Sequence, residues 1–243
     1  MQSPLRKISD NQRRNSTANR LRRKRFRLFL LIGEQLRKPL KVLDAGGTES
    51  FWQQMGYTND RSEKLVNKKE KSQPRQHQAI TFGPHDYEIT LLNNIEQPAT
   101  LDGIVSLAGD ARNMQQFKNQ SFDVAFSNSV IEHVGNWQDQ KMMAAEMLRV
   151  GKRLFLQTPN RYFPLEPHFL FPFFQFLPLS WRVFLVRHFN LGWYKRTPNR
   201  EKAVEICQSI RLLTKKELRV LFPDAEIRTE RFLGFPKSFI VIQ

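Results

Sequence analysis

The segment KVLDAGGTESFW, Lys41 to Trp52, is the most informative part of this sequence for its architecture. An apolar run, then Asp44, then two glycines form the pattern of a buried strand that ends in a tight turn before a helix. The dinucleotide pattern G-x-G-x-x-G is not met, because Thr48 and Phe51 stand at its second and third glycine positions. A carboxylate at this turn suits a ligand with a positive centre better than a pyrophosphate. A simple structural turn is the alternative.

Strand-like and helix-like segments alternate along the rest of the chain. Apolar runs predict six further strands, at residues 88–93, 101–108, 122–126, 152–157, 225–231 and 238–242. Helices are predicted at residues 18–37, 51–55, 141–149, 178–189 and 214–222. This alternation predicts an α/β fold with a doubly wound, mostly parallel, seven-stranded sheet. Ligands of such sheets bind at the carboxyl ends of the strands.

Positive charge is concentrated at the N-terminus. Residues 1–41 contain thirteen of the 39 Lys and Arg residues and only two acidic ones, so they carry +11 of the formal net charge of +16. We predict a basic disordered tail at 1–17 and one domain over 18–243, with a solvated surface insertion at 58–87. A basic arm can bind nucleic acid by counterion release or an anionic membrane by charge attraction. A merely solvated tail is the alternative.

Cysteine content and hydropathy bear on the compartment. The one cysteine, Cys207, excludes an intramolecular disulfide and fits a reducing environment. No apolar run approaches the ~18 residues of a membrane-spanning helix. We therefore expect a cytoplasmic protein, with peripheral contact to a membrane through the basic N-terminus as a further hypothesis.

Aromatic residues are concentrated after the fifth predicted strand. Residues 160–195 contain twelve of them, and prolines interrupt the start of the block, which predicts an aromatic-rich, partly helical insertion. One interpretation is a core of its own, and the other is an apolar lid or a membrane-facing surface. Basic residues interleave with the aromatic ones. A lipid-like acceptor such as a quinone or a polyprenyl compound would suit the second interpretation.

Polar residues end two of the other predicted strands. Asn93 follows the second strand, and its amide can bond both hydroxyl groups of a sugar. Asp110 follows the third strand, where its carboxylate can accept a hydrogen bond from an exocyclic amine. The alternatives are an ordinary turn asparagine for Asn93 and a cap of a helix at 112–116 for Asp110.

Four segments together resemble the class I S-adenosylmethionine-dependent methyltransferases, of the type 11 kind. They are DAGG at 44–47, GDA at 109–111, FDVAFSNSVIEHV at 122–134 and EMLRVGKRLFLQTPN at 146–160. The resemblance covers residues 41–160. It implies a Rossmann-like methyltransferase fold, S-adenosylmethionine as the cofactor, and methyl transfer as the reaction. The sequence departs from the family in its abbreviated glycine motif and in the missing acid after the second strand.

The resemblance also implies roles for residues at the strand ends. The methionine part of the cofactor would be held by Asp44, Ala45, Gly46, Gly47 and Thr48. Asn93 would stand in for the acid that binds ribose, and Asp110, with Ala111 beside it, would meet the adenine amine. Ser127 and Asn128 would lie at the end of the fourth strand, near the transferable methyl group.

Two histidines are candidates for the acceptor side. His133 follows the fourth predicted strand and His168 lies in the loop after the fifth, so either can act as a base or contact the acceptor. A structural histidine is the alternative for His133, Glu132 is expected to cap a helix, and no metal site is predicted. The leading hypothesis is methyl transfer to a small or lipid-like acceptor. The alternatives are an RNA methyltransferase that uses the basic arm, and a binding or scaffold protein without catalysis.

Overall fold

The computed structural model describes residues 16–34, 36–59 and 81–243, and within them seven strands form one sheet. These strands are β1 (Leu40–Ala45), β2 (Tyr87–Asn93), β3 (Ile104–Ala108), β4 (Val124–Asn128), β5 (Leu154–Pro159), β8 (Glu226–Phe232) and β9 (Phe235–Ile242). A separate two-stranded ribbon is made by β6 (Leu165–Glu166) and β7 (Phe171–Pro172).

The strand order of the large sheet is β3-β2-β1-β4-β5-β9-β8. Strands β1 to β5 are parallel, whereas β9 runs antiparallel between β5 and β8. The order reverses between β1 and β4, which are neighbours in the middle of the sheet, so their carboxyl ends flank the usual ligand position of such folds. The predicted doubly wound, mostly parallel sheet of seven strands is confirmed.

The middle strands begin later than the sequence predicts. β4 runs from residue 124 to 128 instead of 122 to 126, because its pairing with β5 continues to Asn128, opposite Gln157. Phe122 bridges to Gly151 instead. β3 and β5 also begin two or three residues late. Ser127 and Asn128 are therefore the last residues of a strand rather than turn residues.

The helices within the described residues are α1 (Thr17–Gly33), α2 (Glu49–Met55), α3 (Trp137–Val150), α4 (Leu179–His188), α5 (Arg200–Gln208) and α6 (Lys215–Leu221). α3 begins four residues before the predicted 141, because Asn136 and Asp139 form a capping box. A capping box of Thr214 and Glu217 starts α6. α5 has no counterpart in the sequence prediction.

The N-terminal helix α1 packs against the sheet and is not a free basic arm. Phe26 and Phe29 are buried in the aromatic side of the core. The Arg25 side chain, 9% exposed, donates to Glu230 of β8 at 2.8 Å. Part of the N-terminal positive charge is therefore paired inside the domain. The predicted disordered tail lies outside the described residues up to residue 15.

The predicted surface insertion at 58–87 is too wide. The Thr58 N–H donates to the Phe82 carbonyl at 2.9 Å, and Phe82 is only 4% exposed. Its ring stacks 5.5 Å from that of Phe26, and Tyr87 already begins β2. Residues 81–87 therefore belong to the domain, and residues 60–80 of the predicted insertion lie outside the described residues.

The insertion after β5 is longer than the predicted 160–195. It leaves the sheet at Asn160 and returns at Leu213, and these two residues form a bridge. Its own core consists of Phe169, Phe174, Val183, Val186, Leu191, Ala203 and Cys207. Exposed aromatic side chains on it are Tyr162, Phe173, Phe176, Trp181, Phe184, Phe189 and Trp193. The interpretation as a core of its own holds for the buried members, whereas the lid or membrane-facing surface stays a prediction for the exposed ones. No helix in the described part of the chain is long and apolar enough to cross a membrane.

Candidate functional site

The glycine turn after β1 folds back over Asp44. Gly46 has φ +80°, and its N–H donates to the Leu92 carbonyl of β2 at 2.8 Å. A Cβ on Gly46 would lie 2.4 Å from a methyl group of Val130, and a Cβ on Gly47 would lie 1.8 Å from Asp44 Oδ2. The two glycines therefore let the backbone close over the carboxyl group.

Asp44 is buried with only one of its oxygens bonded. It is 1% exposed, and Trp52 Nε1 donates to its Oδ2 at 2.8 Å. Oδ1 has no hydrogen-bond partner among the described residues. Burial raises the pKa of Asp44 to about 7, against the opposing effect of the Trp52 hydrogen bond. The unpaired oxygen is an acceptor that a cationic group of a ligand can satisfy.

Side chains at the ends of β2 and β4 connect the strands to the turn. Asn93 Nδ2 donates to the Gly47 carbonyl at 2.9 Å, which leaves the amide oxygen to meet a ligand. Ser127 is fully buried, and its hydroxyl donates to the Ala45 carbonyl at 3.1 Å. Asn128 is partly exposed at the end of β4. Thr48 caps α2 by accepting from the N–H of residue 51 at 3.3 Å.

Asp110, at the end of β3, is held by Arg112. Arg112 Nη2 and Nε donate to Asp110 Oδ2 at 2.6 and 2.9 Å, and Arg112 Nη1 donates to Asp139 of α3 at 2.8 Å. The hydrogen bond from Arg112 holds the pKa of Asp110 below its ordinary value. The helix-cap interpretation is wrong, because residues 111–116 form turns and an isolated bridge at Asn113 instead of a helix. The end of β3 is instead clamped to the start of α3.

Glu132 is the second fully buried carboxyl group of this region, and it does not cap a helix as expected. Thr158 of β5 donates to Glu132 Oε2 at 2.9 Å, whereas Oε1 has no partner within the part of the chain that the structure describes. Burial raises the pKa of Glu132 to about 7, against the nearby charge of His168. Asn136 takes the capping position of α3 instead, since the 3₁₀ turn Ile131–His133 precedes it.

The two candidate histidines meet although 35 residues separate them in the sequence. The ring centroids of His133 and His168 are 4.7 Å apart, edge to face. Glu166 Oε1 lies 2.7 Å from His168 Nδ1, and Glu166 Oε2 accepts from the backbone N–H groups of His168 and Phe169 at 2.8 and 2.7 Å. The Glu166 carboxylate therefore fixes the position of the His168 ring.

The pKa values of the two histidine rings are shifted in opposite directions. Burial opposes the charged form of His168, but the hydrogen bond and charge of Glu166 and the charge of Glu132 outweigh it and raise its pKa. Desolvation of the His133 ring, and then the charge of His168, lower the pKa of His133 to about 4, although the residue as a whole is exposed. The lowered pKa means that the His133 ring is neutral at neutral pH and has one nitrogen lone pair available.

A cavity of about 620 Å³ lies between the start of α3 and the insertion. Glu166 lines it, so the cavity adjoins the carboxylate that holds His168. Asp139 lines the opposite wall and is bonded through Arg112 to Asp110. The wall combines guanidinium and aromatic groups, from Arg161, Arg182, Arg211, Phe169 and Phe174. A cavity of this size can hold a small-molecule ligand.

Sequence analysis did not identify Thr158 as the partner of Glu132 or Glu166 as the partner of His168. The sequence did contain a signal for Glu166, because an acid stands just before each histidine: Glu132 one residue before His133, and Glu166 two residues before His168. Neither sequence pattern alone reveals the contact between His133 and His168. This contact arises because β4 and β5 are parallel neighbours whose following loops leave the same edge of the sheet.

Residues 53–154 match the sequence family described as a methyltransferase domain. Uncharacterized proteins from two strains of Mycobacterium tuberculosis are 39% identical over 67 residues, which is 28% of this chain and 22% of each relative. The match thus spans about a fifth of the length of these curated relatives. A solved S-adenosylmethionine-dependent methyltransferase from Methanosarcina mazei is similar at 16% identity and a TM-score of 0.45, over 87% of this chain and 95% of that one. Another, from Archaeoglobus fulgidus, is similar at 10% identity and a TM-score of 0.49, over 92% of each.

The family match includes β2 to β4, Asp110 and the turn that carries Glu132 and His133. The strand order, with antiparallel β9 inserted between β5 and β8, is that of the Rossmann-like methyltransferase fold, a family whose cofactor is S-adenosylmethionine. The family match covers 102 of the 243 residues, so it identifies residues 53–154 as similar to a methyltransferase domain, and the strand order agrees with the resemblance to the class I S-adenosylmethionine-dependent methyltransferases.

Proposed function

We propose that this chain transfers a methyl group from S-adenosylmethionine to a small or lipid-like acceptor. The observation that carries the proposal is the arrangement of two regions along one edge of the sheet. The first region consists of the side-chain oxygens of Asp44, Asn93 and Asp110, which lie at or just after the ends of β1, β2 and β3. The second is the His133–His168 pair beside the cavity, whose members lie in the segments after β4 and β5.

The oxygen acceptors suit the donor groups of the cofactor. Asp44 Oδ1 would accept from the ammonium group, the Asn93 amide oxygen from a ribose hydroxyl, and Asp110 from the adenine amine. The backbone from Ala45 to Thr48 would line the methionine part, and Asn128 would lie near the methyl group. Support comes from the unpaired Oδ1 of Asp44 and from the glycine turn that β2 holds in place.

When bound, the cofactor would supply a methyl group on a positively charged sulfur that is ready for in-line displacement. The protein then has to align the nucleophilic atom of the acceptor with that methyl group, which is a proximity effect. His133 would contact the acceptor, with a ring that its lowered pKa keeps neutral at neutral pH, and the proton that the nucleophile loses would pass to water. His168, held by Glu166, would contact the acceptor from the cavity side.

The walls of the cavity and the outside of the insertion support the proposed acceptor class. Phe169 and Phe174 line the cavity, and Arg161 and Arg182 add positive charge. Exposed aromatic side chains such as Trp181 and the basic N-terminus favour contact with an anionic membrane surface. These features support an acceptor with an apolar body and a polar or anionic group. We likewise propose a cytoplasmic location with peripheral membrane contact.

A labelled-methyl transfer screen tests the proposal. The full chain is incubated with radiolabelled S-adenosylmethionine and either lipid extract, small metabolites or total RNA, and cofactor binding is measured separately by calorimetry. We expect label in the lipid or metabolite fraction. Label in RNA alone would favour the alternative that the basic arm recruits RNA. Absence of cofactor binding would favour a non-catalytic binding or scaffold protein.

A further inference from the structure

We propose that Glu132, His133 and His168 form a binding site for a divalent transition-metal ion beside the acceptor cavity. Each residue offers one ligand atom, and these atoms all lie within 4.8 Å of one another. Atoms bonded to one ion at about 2.0–2.2 Å in tetrahedral geometry lie roughly 3.3–3.6 Å apart, so the widest of these separations has to close by roughly 1.2–1.5 Å when an ion binds. The sequence prediction of no metal site did not consider this contact between distant segments.

The Glu132 carboxylate has an oxygen available for an ion. The side chain is 0% exposed, its Oε2 accepts from Thr158, and its Oε1 has no partner among the residues described. An unpaired carboxylate oxygen away from water is costly unless a cation or a hydrogen-bond donor reaches it. A metal ion would supply that missing partner.

His168 is oriented as a metal-binding histidine is. The Nδ1 atom of His168 lies 2.7 Å from Glu166 Oε1, and the backbone N–H bonds to the same carboxylate fix its side chain. With the Nδ1 proton donated to Glu166, the Nε2 lone pair remains for a ligand. A carboxylate behind a ligating imidazole is the usual arrangement of the outer shell of metal sites.

The donor set indicates the class of ion. Two imidazole nitrogens and one carboxylate oxygen suit Zn²⁺, Co²⁺ and related borderline ions better than Mg²⁺, which prefers oxygen ligands. Three protein ligands leave a coordination position for another molecule. Resting on the proposed function, we assign that position to an oxygen of the acceptor, which enters from the adjoining cavity.

An ion pair between Glu132 and a protonated His168 would also satisfy the carboxylate, so metal binding has to be measured directly. Tag-free, metal-free full chain is titrated with Zn²⁺ alone by calorimetry and with Co²⁺ alone by visible absorption. We expect one ion per chain, a d–d absorption band with Co²⁺, and weaker binding of Mg²⁺ than of Zn²⁺. Fewer than ~0.1 ions per chain, or tighter binding of Mg²⁺, would overturn the assignment.

Variants locate the site. Glu132→Gln and His133→Gln should each weaken Zn²⁺ binding at least about tenfold, and Glu166→Gln, which only releases the position of His168, by about tenfold as well. His188→Gln is the matched control, because His188 is exposed and bonds the Phe184 carbonyl far along the insertion. Its affinity should equal that of the wild type. Should Glu132→Gln not fold, His133→Gln at an exposed position decides, and wild-type affinity in it would refute the site.

Calorimetry with S-adenosylmethionine on the same wild-type preparation separates the two proposals. Cofactor binding without Zn²⁺ binding contradicts only the metal site. Zn²⁺ binding without cofactor binding contradicts the proposed function, and with it the assignment of an acceptor oxygen to the ion.

Discussion

Asp44 and Glu132 are both fully buried carboxyl groups. Asp44 lies near the end of β1, and Glu132 follows β4, the neighbour of β1 in the sheet. In each, one oxygen is hydrogen-bonded and the other has no partner in the described residues, and burial raises the pKa of both to about 7. Their neighbours differ, since Asp44 meets Trp52 and glycine backbone, whereas Glu132 faces His168. Burial therefore sets the proton affinity of both groups alike, and the neighbouring side chains decide which cation each group can take.

The largest effect should come from blocking the glycine turn that covers Asp44. In Gly46→Val the new side chain overlaps Val130, so we expect stability to fall by about 2–4 kcal/mol and cofactor affinity by more than about 100-fold. Urea unfolding and calorimetry with S-adenosylmethionine measure the two effects.

Gly234→Val is the matched control for that variant. Gly234 has φ +81°, almost the same as Gly46, but nothing lies within 4 Å of its Cβ position. Both variants share the cost of a side chain at positive φ, so their difference measures the overlap alone. Equal stability and equal cofactor affinity in the two variants would show that the turn after β1 is not a tightly packed binding element.

Removing the charge of Asp44 should change the pH dependence of stability. The folded carboxyl stays protonated up to about pH 7, while the unfolded one ionises near pH 3.8, so the contribution of Asp44 to stability is fully present below pH 4 and is lost as pH rises to 7. Asp44→Asn keeps an oxygen for Trp52 but cannot ionise. Relative to wild type it should gain on the order of 2–4 kcal/mol in unfolding free energy between pH 4 and pH 8.

Denaturant unfolding at several pH values measures this difference, and cofactor calorimetry on the same variant compares the two roles of the side chain. We expect Asp44→Asn to be the more stable protein at pH 8 and also the weaker binder, because its amide attracts an ammonium group less than a carboxylate does. A difference in stability that does not vary with pH would show that Asp44 titrates normally.

A smaller effect is expected at the end of β3. Asp110→Ala removes the acceptor proposed for the adenine amine and should cost about 1–3 kcal/mol of cofactor binding, a five- to 150-fold loss. Asp224→Ala, at an exposed position after α6, is the control for loss of one acidic charge. Calorimetry that found the same affinity in both variants would assign Asp110 to clamping Arg112 and α3 only.

The smallest effect on stability is expected on the outer face of the insertion. Trp181 is 61% exposed, so Trp181→Ser should change the unfolding free energy by less than about 0.5 kcal/mol. Binding to anionic phospholipid vesicles, measured by co-sedimentation, should nevertheless decrease. Val220→Ser, at an equally exposed apolar position on α6, should leave vesicle binding unchanged. Equal loss in both variants would mean that the aromatic face has no special affinity for membranes.

Local sequence patterns were sufficient for the order of strands and helices in the middle of the chain. The alternation of apolar runs with helical segments predicts parallel strands, and the sheet confirms it. Boundaries were less predictable, because the partner strand decides them: β4 extends to Asn128 only where β5 continues to pair with it. Helix α5 was not predicted, and its buried residues, such as Ala203 and Cys207, pack in the core of the insertion rather than against the sheet.

The sequence could place the residues proposed for cofactor binding at one edge of the sheet, because each lies at or just after the end of a strand and the parallel strands all end at that edge. It did not reveal their bonds, in which Asp110 is held by Arg112 and Asn93 holds the Gly47 carbonyl. The contact of Glu132, His133 and His168 belongs wholly to tertiary structure. The order of elements along the chain does not reveal the distance between the loop after β4 and the loop after β5, because burial and packing of the insertion fix that distance. The strand pattern thus located the edge, and packing of the insertion brought its chemical groups together.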